Sequence, residues 1–318
     1  MLGLRIKRRQ FQTHRFQDRV ITTIAIPVAP AATAQGIART RIALTYLWGH
    51  GRFPDIAAAP RFTEMVQRKK LFGRDASQCV LMDKIAAKDL VASRLGQDWI
   101  TPTLWADTSL PVSQPFPAPA ILKARHGCNQ YRVLRTAPDT AAWKSLKTLT
   151  AKWTARPYGG WLDEWAYRDV PRGLLAEPLL GNGRELPVDY KIYVFGGVAT
   201  HVQVHLGREH EHRWVLHDRD FRQLVAFNDA PPPPRSLSAM LAAAERLAQG
   251  QNFLRVDFYE IDGEPRFGEF CLYPGSGLDP FAADWIDFEL GALWHEALRS
   301  GGVSLPLAPQ HGLVAKPA

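Results

Sequence analysis

Two hairpin patterns in the C-terminal half constrain the fold of this 318-residue chain more than any other feature. Each consists of two strand-like segments around a dipeptide suited to a tight turn: residues 189–195 and 199–206 around Gly196-Gly197, and residues 253–260 and 265–273 around Asp262-Gly263. Tight turns join antiparallel strands, because parallel strands need a long crossover connection. The sequence therefore predicts antiparallel sheets.

Helical patterns are fewer than the strand patterns. Residues 83–95 place apolar side chains near a 3.6-residue period, with Asp83 suited to cap the first turn and Gly96 to end the last. Other elements are predicted at separate positions: helices over 143–153, 237–247 and 285–299, and strands over 120–123, 131–134 and 173–180. Short helices mixed with antiparallel strands predict an α+β fold.

The composition excludes several classes of protein. No stretch of about 18 apolar residues without charge occurs, so no helix is expected to span a membrane. The three cysteines, Cys79, Cys128 and Cys271, lie far apart and form no Cys-x-x-Cys pair. This spacing argues against a disulfide framework or a structural zinc site, and it fits a reducing compartment.

The positive charge is concentrated at the N-terminus. Residues 1–54 contain nine Lys or Arg and one acid, which accounts for the whole net charge of +8. Such an arm can bind an anionic membrane surface, an acidic polymer or nucleic acid. The alternative is a solvated tail without a partner. Arg8-Arg9-Gln10-Phe11 also resembles a twin-arginine export signal, with an apolar run ending in Ala32-Thr33-Ala34. Pro27 and Pro30 interrupt that run, so a basic surface segment is the alternative.

Three charged residues of the second hairpin form the strongest chemical pattern. Arg255 and Asp257 are two residues apart on one strand, so they share a face, and Glu269 on the other strand can project from it as well. Two carboxylates of this kind can hold Mg²⁺. The ordinary alternative is a cross-strand set of ion pairs on a solvated sheet face.

Six ordered segments together resemble the ATP-grasp superfamily, and within it the teichuronopeptide-biosynthesis (TupA-like) branch. They are MDKIAAKDLV (82–91), ILKARHG (121–127), LLAEPLLG (174–181), VDYKIYVFGG (188–197), FLRVDFYEIDG (253–263) and FGEFCLYPGSG (267–277). The resemblance runs from about Pro60 to Trp294 and leaves out residues 1–54.

The resemblance implies an ATP-grasp fold in which a nucleotide is held between two α+β subdomains. The chain then divides into four parts: a basic arm (1–54), an N-terminal subdomain (55–110), a small lid subdomain (111–172) and a C-terminal subdomain with the metal-binding hairpin (173–318).

The resemblance also implies a nucleotide site. Its residues are expected to be Lys84, Lys123, His126, Gly127, Glu177, Asp189 and Lys191. Lys123 and Lys84 resemble lysines that contact ATP phosphates, and Glu177 resembles the hinge residue that receives adenine and ribose. Asp189 resembles the partner that orients Lys191 toward the phosphates. A surface lysine at a strand end and a paired strand glutamate are the ordinary alternatives.

The catalytic and metal roles follow from the same resemblance. Asp257 and Glu269 are expected to bind Mg²⁺, while Arg255, with Lys191, stabilises charge on an acyl phosphate or its tetrahedral successor. Arg208, His212 and Ser276 are the candidates for contact with the second substrate. Five histidines crowd the neighbouring hairpin, which leaves a transition-metal site as an alternative: His201, His205, His210, His212 and His217.

Two positions depart from the superfamily pattern. The loop after the strand lysine keeps one glycine, Gly127, where a glycine-rich loop is usual, so its amides approach phosphate less freely. Cys271 stands where many members carry an asparagine that binds a second metal ion, and a thiol is a poor magnesium ligand. A second metal ion is therefore in doubt.

The resemblance implies an ATP-dependent carboxylate–amine ligase that acts through an acyl phosphate, in cell-surface polysaccharide or peptidic polymer biosynthesis. Its partners are carboxylate and amine substrates, including a glycan or lipid-linked glycan, and no nucleic acid is expected. An enzyme that uses ATP is expected in the cytoplasm, and residues 1–40 are expected to contact the anionic inner face of the membrane. The alternatives are a kinase on the same fold and a non-catalytic nucleotide-binding protein of membrane assembly.

Overall fold

The computed structural model describes residues 31–181 and 185–301. Seven α-helices lie in this part of the chain: α1 (Ala31–His50), α2 (Phe62–Phe72), α3 (Cys79–Met82), α4 (Lys84–Leu95), α5 (Thr140–Thr154), α6 (Leu237–Leu247) and α7 (Asp284–Arg299). Nine strands lie in it as well: β1 (Trp105–Asp107), β2 (Ala120–Ala124), β3 (Tyr131–Leu134), β4 (Leu174–Pro178), β5 (Asp189–Phe195), β6 (Val198–Leu206), β7 (Arg213–Asp218), β8 (Phe253–Ile261) and β9 (Glu264–Cys271).

The strands form two antiparallel sheets, as the turn patterns predict. The small sheet has the order β1-β4-β2-β3, and the large sheet has the order β7-β6-β5-β8-β9. Gly196-Gly197 and Asp262-Gly263 form the two predicted turns, with φ angles of 56°, 84°, 56° and 84° along the two dipeptides. Three of the four residues are glycines, which adopt positive φ angles without steric cost, and Asp is among the residues that adopt them most readily after glycine. The predicted α+β architecture with antiparallel sheets is therefore confirmed.

The large sheet carries the main hydrophobic core. Helices α2 and α7 pack on it through an aromatic cluster in which the ring of Phe62 lies 5.1 Å from Phe253 and 5.4 Å from Trp294. These three side chains are almost completely buried. Burying one such side chain contributes about 1.5–3 kcal/mol. The cluster therefore fixes both helices on the strands that carry the candidate site.

The small sheet has a separate core. Helix α5 covers it through Trp143, Leu146 and Trp153, which are buried against Leu122 and Leu174 of the central strands. The predicted helix over 143–153 is thus present and extends three residues further at its start. A cleft lined by residues of both sheets lies between them.

Helix α1 was not predicted from the sequence. Its C-terminal half packs on the body, where Tyr46 is fully buried and its hydroxyl lies 2.9 Å from Thr63 Oγ1. Apolar residues also occupy its outer face, including Leu44 and Trp48, so no clear amphipathic period marks the helix in the sequence. Residues 1–30, with the arginine pair and most of the basic arm, lie outside the described residues.

Within the two described ranges, none of the helices is long and apolar enough to cross a membrane.

Candidate active site

The cleft between the two sheets brings together residues that are far apart in the sequence. Its lining includes one charged residue from each of six elements or loops: Lys84, Lys123, Glu177, Asp189, Arg208 and Glu269. All six were predicted as site residues. Residues from separate segments of the sequence therefore meet in one cavity.

Glu177 of β4 lies between two lysines on the small-sheet side of the cleft. Lys123 Nζ donates to Glu177 Oε2 at 2.6 Å, and Lys88 of α4 forms an ion pair with the other carboxylate oxygen. Lys88 Nζ also donates to Thr103 Oγ1 at 2.8 Å. Burial by itself would raise the pKa of Glu177, but the two ammonium groups hold it below its ordinary value. We call Glu177, Lys88 and Lys123 the hinge cluster.

Lys88 was missed as a site residue by sequence reasoning. It stands one helical turn after Lys84 in the segment MDKIAAKDLV, so both lysines share a face of α4. That spacing was the available signal. The sequence does not show that β4 brings a carboxylate to this face.

Lys84 links α4 to the loop after β2. Asp83 caps the helix by accepting from the Ile85 amide at 3.0 Å, as predicted, and Arg125 Nε donates to the same carboxylate at 2.7 Å. Lys84 Nζ then donates to the carbonyl oxygen of Gly127 at 2.7 Å and lies 3.6 Å from Glu269 Oε2. Its ammonium group therefore bridges the loop and the second predicted metal ligand.

His126 is placed behind this loop, while Gly127 lines the cleft. The fully buried imidazole accepts from the Gly173 amide through Nδ1 at 3.4 Å, so Nε2 is the protonated nitrogen that donates to the Trp153 carbonyl at 3.0 Å. Burial lowers the pKa of His126. His126 thus anchors the loop to α5, while Gly127, Cys128, Asn129 and Gln130 of the same loop line the cleft.

A chain of four alternating charges lies in the large sheet, and of these four residues only Asp189 lines the cleft. Lys191 of β5 is paired in register with Asp257 of β8, and its Nζ donates to Asp257 Oδ2 at 2.5 Å and to Asp189 Oδ2 at 2.7 Å. Arg255 grips the same Asp257 with two bonds, from Nε at 2.7 Å and from Nη2 at 2.8 Å. We call Asp189, Lys191, Arg255 and Asp257 the strand network.

Arg208 extends the strand network to the rim of the cleft. Its Nη1 donates to Asp189 Oδ2 at 3.2 Å, and its guanidinium lies 5.4 Å from the Tyr259 ring. Burial would raise the pKa of Asp189, but Lys191 and Arg208 hold it well below the usual range for a carboxyl. Asp189 is therefore ionised at neutral pH and orients two cations.

Asp257 and Glu269 are the two residues predicted to bind Mg²⁺, and both oxygens of Asp257 already accept hydrogen bonds, from Arg255 and, at Oδ2, from Lys191 as well. Asp257 and Glu269 are direct cross-strand partners on β8 and β9, and Glu269 lines the cleft, where its Oε2 lies 3.6 Å from Lys84 Nζ. Carboxylate oxygens are the ligands that Mg²⁺ prefers, and it completes its shell with water and phosphate oxygens. Cys271 is paired in register with Arg255, and burial raises the pKa of its thiol to about 12. The thiol stays protonated at neutral pH, so it adds no ligand for a second magnesium ion.

The histidine-rich hairpin does not form a metal site within the described chain. His205 Nδ1 lies 2.9 Å from His212 Nε2, so the two rings share a hydrogen bond. In residues 31–181 and 185–301 no three His, Cys, Asp or Glu side chains are grouped to hold a metal ion.

The three predicted second-substrate residues fall in different places. Arg208 lines the cleft, and His212 lies on the hairpin behind it. Ser276 is turned away toward α2, where Lys70 Nζ donates to its hydroxyl at 2.6 Å and to its carbonyl oxygen at 2.7 Å. The structure therefore brings only Arg208 of the three to the cleft.

A family model described as TupA-like ATPgrasp matches residues 64–295 of the chain. No curated protein matches its sequence.

Several solved structures are similar to the chain at low identity. D-alanine–D-alanine ligase from Bacillus anthracis is 15% identical over 70% of this chain and 68% of that one, with a TM-score of 0.40. L-amino acid ligase from Bacillus licheniformis is 12% identical over 84% and 62%, with a TM-score of 0.45. The ATP-grasp ligase PsnB, solved with a precursor variant, Mg and ADP, is 12% identical over 75% and 66%, with a TM-score of 0.39. The chain thus spans about two thirds of the length of these proteins.

Proposed function

The chain belongs to the TupA-like ATP-grasp family, and from this premise we propose that it uses ATP to join a carboxylate to an amine. The family match confirms the predicted resemblance, the ATP-grasp fold and the assignment to the ATP-grasp ligases. The residues and substrates that carry the reaction in this chain are the content of the proposal.

The convergence of the cleft carries this proposal. Lys84 and Lys123 line it from α4 and β2, and Lys191 of β5 is bonded to Asp189, which also lines it. Their ammonium groups provide the positive charge that a triphosphate needs. Each lysine is held by a carbonyl or carboxylate oxygen that a phosphate oxygen can replace. Arg255 binds Asp257 through Nε and Nη2, and its Nη1 makes no hydrogen bond to the described residues.

These positions support a two-step reaction. The carboxylate of the first substrate attacks the γ-phosphorus of ATP, so an acyl phosphate forms and ADP leaves. The amine then attacks the carbonyl carbon, the carbon–nitrogen bond forms, and inorganic phosphate departs with the bonding electron pair. Arg255 stabilises the negative charge on the carbonyl oxygen, an effect worth about 3–4 kcal/mol for a well-placed donor. Mg²⁺ bound by Asp257 and Glu269 would neutralise phosphate charge.

A trapping experiment tests the proposal. The protein is incubated with ATP, Mg²⁺, hydroxylamine and a panel of uronic acids and amino acids, and the products are separated. A ligase acting through an acyl phosphate releases ADP and gives a hydroxamate of one acid. Recovery of a stable phosphorylated alcohol would transfer the assignment to a kinase, and ATP binding without turnover would favour the non-catalytic alternative.

We also propose that the enzyme acts in the cytoplasm on a cell-surface polymer precursor, a glycan or lipid-linked glycan, at the inner face of the membrane. The support is the basic segment 1–30 together with the outer face of α1, where Leu44 and Trp48 are 56% and 63% exposed. Basic residues near an anionic leaflet contribute about 1 kcal/mol each, and tryptophan is enriched at membrane interfaces.

Vesicle binding tests the membrane contact. Deleting residues 2–30 should lower binding to vesicles that contain phosphatidylglycerol, and the difference from the full chain should shrink with added salt. ATP affinity should be unchanged in the same variant. Undiminished vesicle binding would assign the basic segment to another partner.

A further inference from the structure

One arginine beside the cleft has no part in the mechanism above. Arg125 directly follows β2, two residues after Lys123 and one before His126. Neither Arg125 nor Asp83, the residue that its side chain binds, is among the described residues that line the cleft. Any effect of Arg125 on a ligand in the cleft is therefore exerted through the residues that it holds.

Two hydrogen bonds join Arg125 to the residue that caps α4. Its Nε donates to Asp83 Oδ1 at 2.7 Å and its Nη2 to Asp83 Oδ2 at 2.5 Å, while Oδ1 also accepts from the Ile85 amide at 3.0 Å. Asp83 is 4% exposed, so water competes little for its carboxylate. A two-bond pair of this kind fixes the orientation of the two groups as well as their distance. The start of α4 is therefore held in one orientation relative to the end of β2.

The main chain of Arg125 makes further bonds in the same place. Its carbonyl oxygen accepts from the Lys84 amide at 3.2 Å, and its own amide donates to the carbonyl oxygen of Gly173, just before β4, at 2.8 Å. The Lys84 ammonium group donates to the Gly127 carbonyl oxygen at 2.7 Å and lies 3.6 Å from Glu269 Oε2. Arg125 thus fixes the main chain from which the Lys84 side chain starts.

Helix α4 connects the two sides of the cleft. It packs on β9 of the large sheet and on α6, and Asp83, Lys84 and Lys88 at its start and in its first turns reach the small-sheet side. The two lysines bind oxygens of residues that line the cleft, so a phosphate there can take them over. The pair of Asp83 and Arg125 lies outside the cleft lining, and a nucleotide leaves it intact. This pair therefore keeps α4 in register with the small sheet when the cleft is occupied.

We propose that Arg125 is a positioning residue for Mg-ATP, because its pair with Asp83 sets the position of the Lys84 ammonium group beside Glu269, where the phosphates bind. The inference rests on the proposed function, in which Lys84 contacts phosphate, and deepens it by identifying the residue that places Lys84. A lysine side chain has many rotamers, and each additional freedom of its main chain makes the correct placement of the ammonium group less frequent. Arg125 removes that freedom before the nucleotide arrives.

Two conservative substitutions separate this role from charge and from helix capping. Arg125→Lys keeps the positive charge but cannot make two parallel bonds, because lysine carries a single ammonium group. Asp83→Asn keeps an oxygen that can cap α4, since Asn and Asp are about equally good caps, but it removes the negative charge that binds Arg125. Both variants should therefore weaken the pair and leave α4 formed.

A double-mutant cycle with Lys84 tests the role. Calorimetry measures Mg-ATP affinity in the native protein, in Lys84→Met, in Arg125→Met and in the variant with both changes. Asp83→Asn is taken through the same cycle, so the test does not depend on the folding of Arg125→Met. Arg172→Met is the matched control, because Arg172 holds the end of α5 on the small-sheet side by donating to two carbonyl oxygens at 3.2 and 2.9 Å.

We expect Lys84→Met to lower Mg-ATP affinity about tenfold or more, the loss of one hydrogen bond to a charged group. Arg125→Met, Arg125→Lys and Asp83→Asn should each lower it about fivefold, as for residues coupled in one network. In the Lys84→Met background, the Arg125 and Asp83 changes should cost less than about twofold more, because the lysine that they position is gone. Arg172→Met should bind Mg-ATP like the native protein.

Equal losses from Arg125→Met with and without Lys84, or native affinity in Arg125→Met, would overturn the positioning role. A loss in Arg172→Met as large as that in Arg125→Met would overturn it as well, because it would show a general loosening of the small sheet.

The cycle also separates this inference from the ligase function. If the cycle gives the expected affinities and the trapping experiment gives no hydroxamate with any acid, Arg125 positions Lys84 for the nucleotide and the ligase assignment fails. Native Mg-ATP affinity in Lys84→Met would instead remove the contact between Lys84 and phosphate, and the inference with it.

Discussion

The hinge cluster and the strand network bury acids in the same way but are assembled differently. In each, one carboxylate lies between two cations: Glu177 between Lys88 and Lys123, and Asp257 between Lys191 and Arg255. Glu177 is 5% exposed and Asp257 is 1% exposed. The strand network belongs to one sheet, whereas the hinge cluster joins α4 to the small sheet.

This difference decides how each cluster can respond to a ligand. The strand network is rigid, because cross-strand register sets the separation of Lys191 and Asp257. The hinge cluster is held by two long lysine side chains that line or adjoin the cleft, and their flexible stems can turn toward an anion in it. In the proposed reaction, the strand network would therefore keep its arrangement, while the lysines of the hinge cluster would exchange the Glu177 carboxylate for phosphate.

The largest effect on stability is expected from Asp257→Asn. The change leaves the buried Lys191 and Arg255 without their shared anion, and breaking a buried ion pair costs about 3–5 kcal/mol. Urea denaturation should show that loss in the free energy of unfolding. The exposed Asp98→Asn should leave it unchanged, and a loss below that of Glu177→Gln would contradict the rigidity of the strand network.

A smaller loss is expected from Glu177→Gln. Hydrogen bonds to charged groups contribute about 1.5–3 kcal/mol, and the two lysines can turn toward water in the cleft. ATP should restore part of the lost stability, because its phosphates replace the missing carboxylate, while Asp257→Asn should show no such recovery. Thermal unfolding with and without Mg-ATP measures the recovery in both variants, with the exposed Glu264→Gln as control. Equal recovery in the two variants would remove the distinction between the clusters.

Lowering the pH should decrease the free energy of unfolding, and the decrease should be smaller in Glu177→Gln than in the native protein. The folded protein holds the pKa of Glu177 and Asp189 below their ordinary values. A depressed pKa means that the stabilisation is present above the unfolded pKa, about 4, and is lost as the pH falls toward the folded pKa. Unfolding free energies at pH 7 and at pH 3–4 should therefore differ less in Glu177→Gln than in the native protein. An unchanged difference would show that Glu177 does not contribute.

The smallest effect is expected from Thr103→Val. It removes the hydroxyl that accepts from Lys88 Nζ at 2.8 Å, and one such bond contributes about 1 kcal/mol. Because Lys88 is then freer to leave Glu177, Mg-ATP affinity measured by calorimetry should be native or slightly higher. A clear fall in affinity would show that Lys88 must be held in place.

The strand network was largely predictable from the sequence. The period of two along a strand places Arg255 and Asp257 on one face, and the Asp-Gly turn brings Glu269 beside them. The Asp83 cap and the Gly96 end of α4 were also local features, and both are present. Such features depend on neighbours a few residues away, so the sequence by itself determined them.

Only the tertiary structure decided the rest. Lys88 meets Glu177 because α4 packs beside the small sheet, His126 is drawn behind its loop by the Trp153 carbonyl, and Ser276 is turned to Lys70. Each of these contacts joins elements separated by long stretches of chain. Nothing in the sequence marks these side chains as partners of one another. Their partners are set by burial, because a polar group removed from water must form hydrogen bonds with the groups that the packing places next to it.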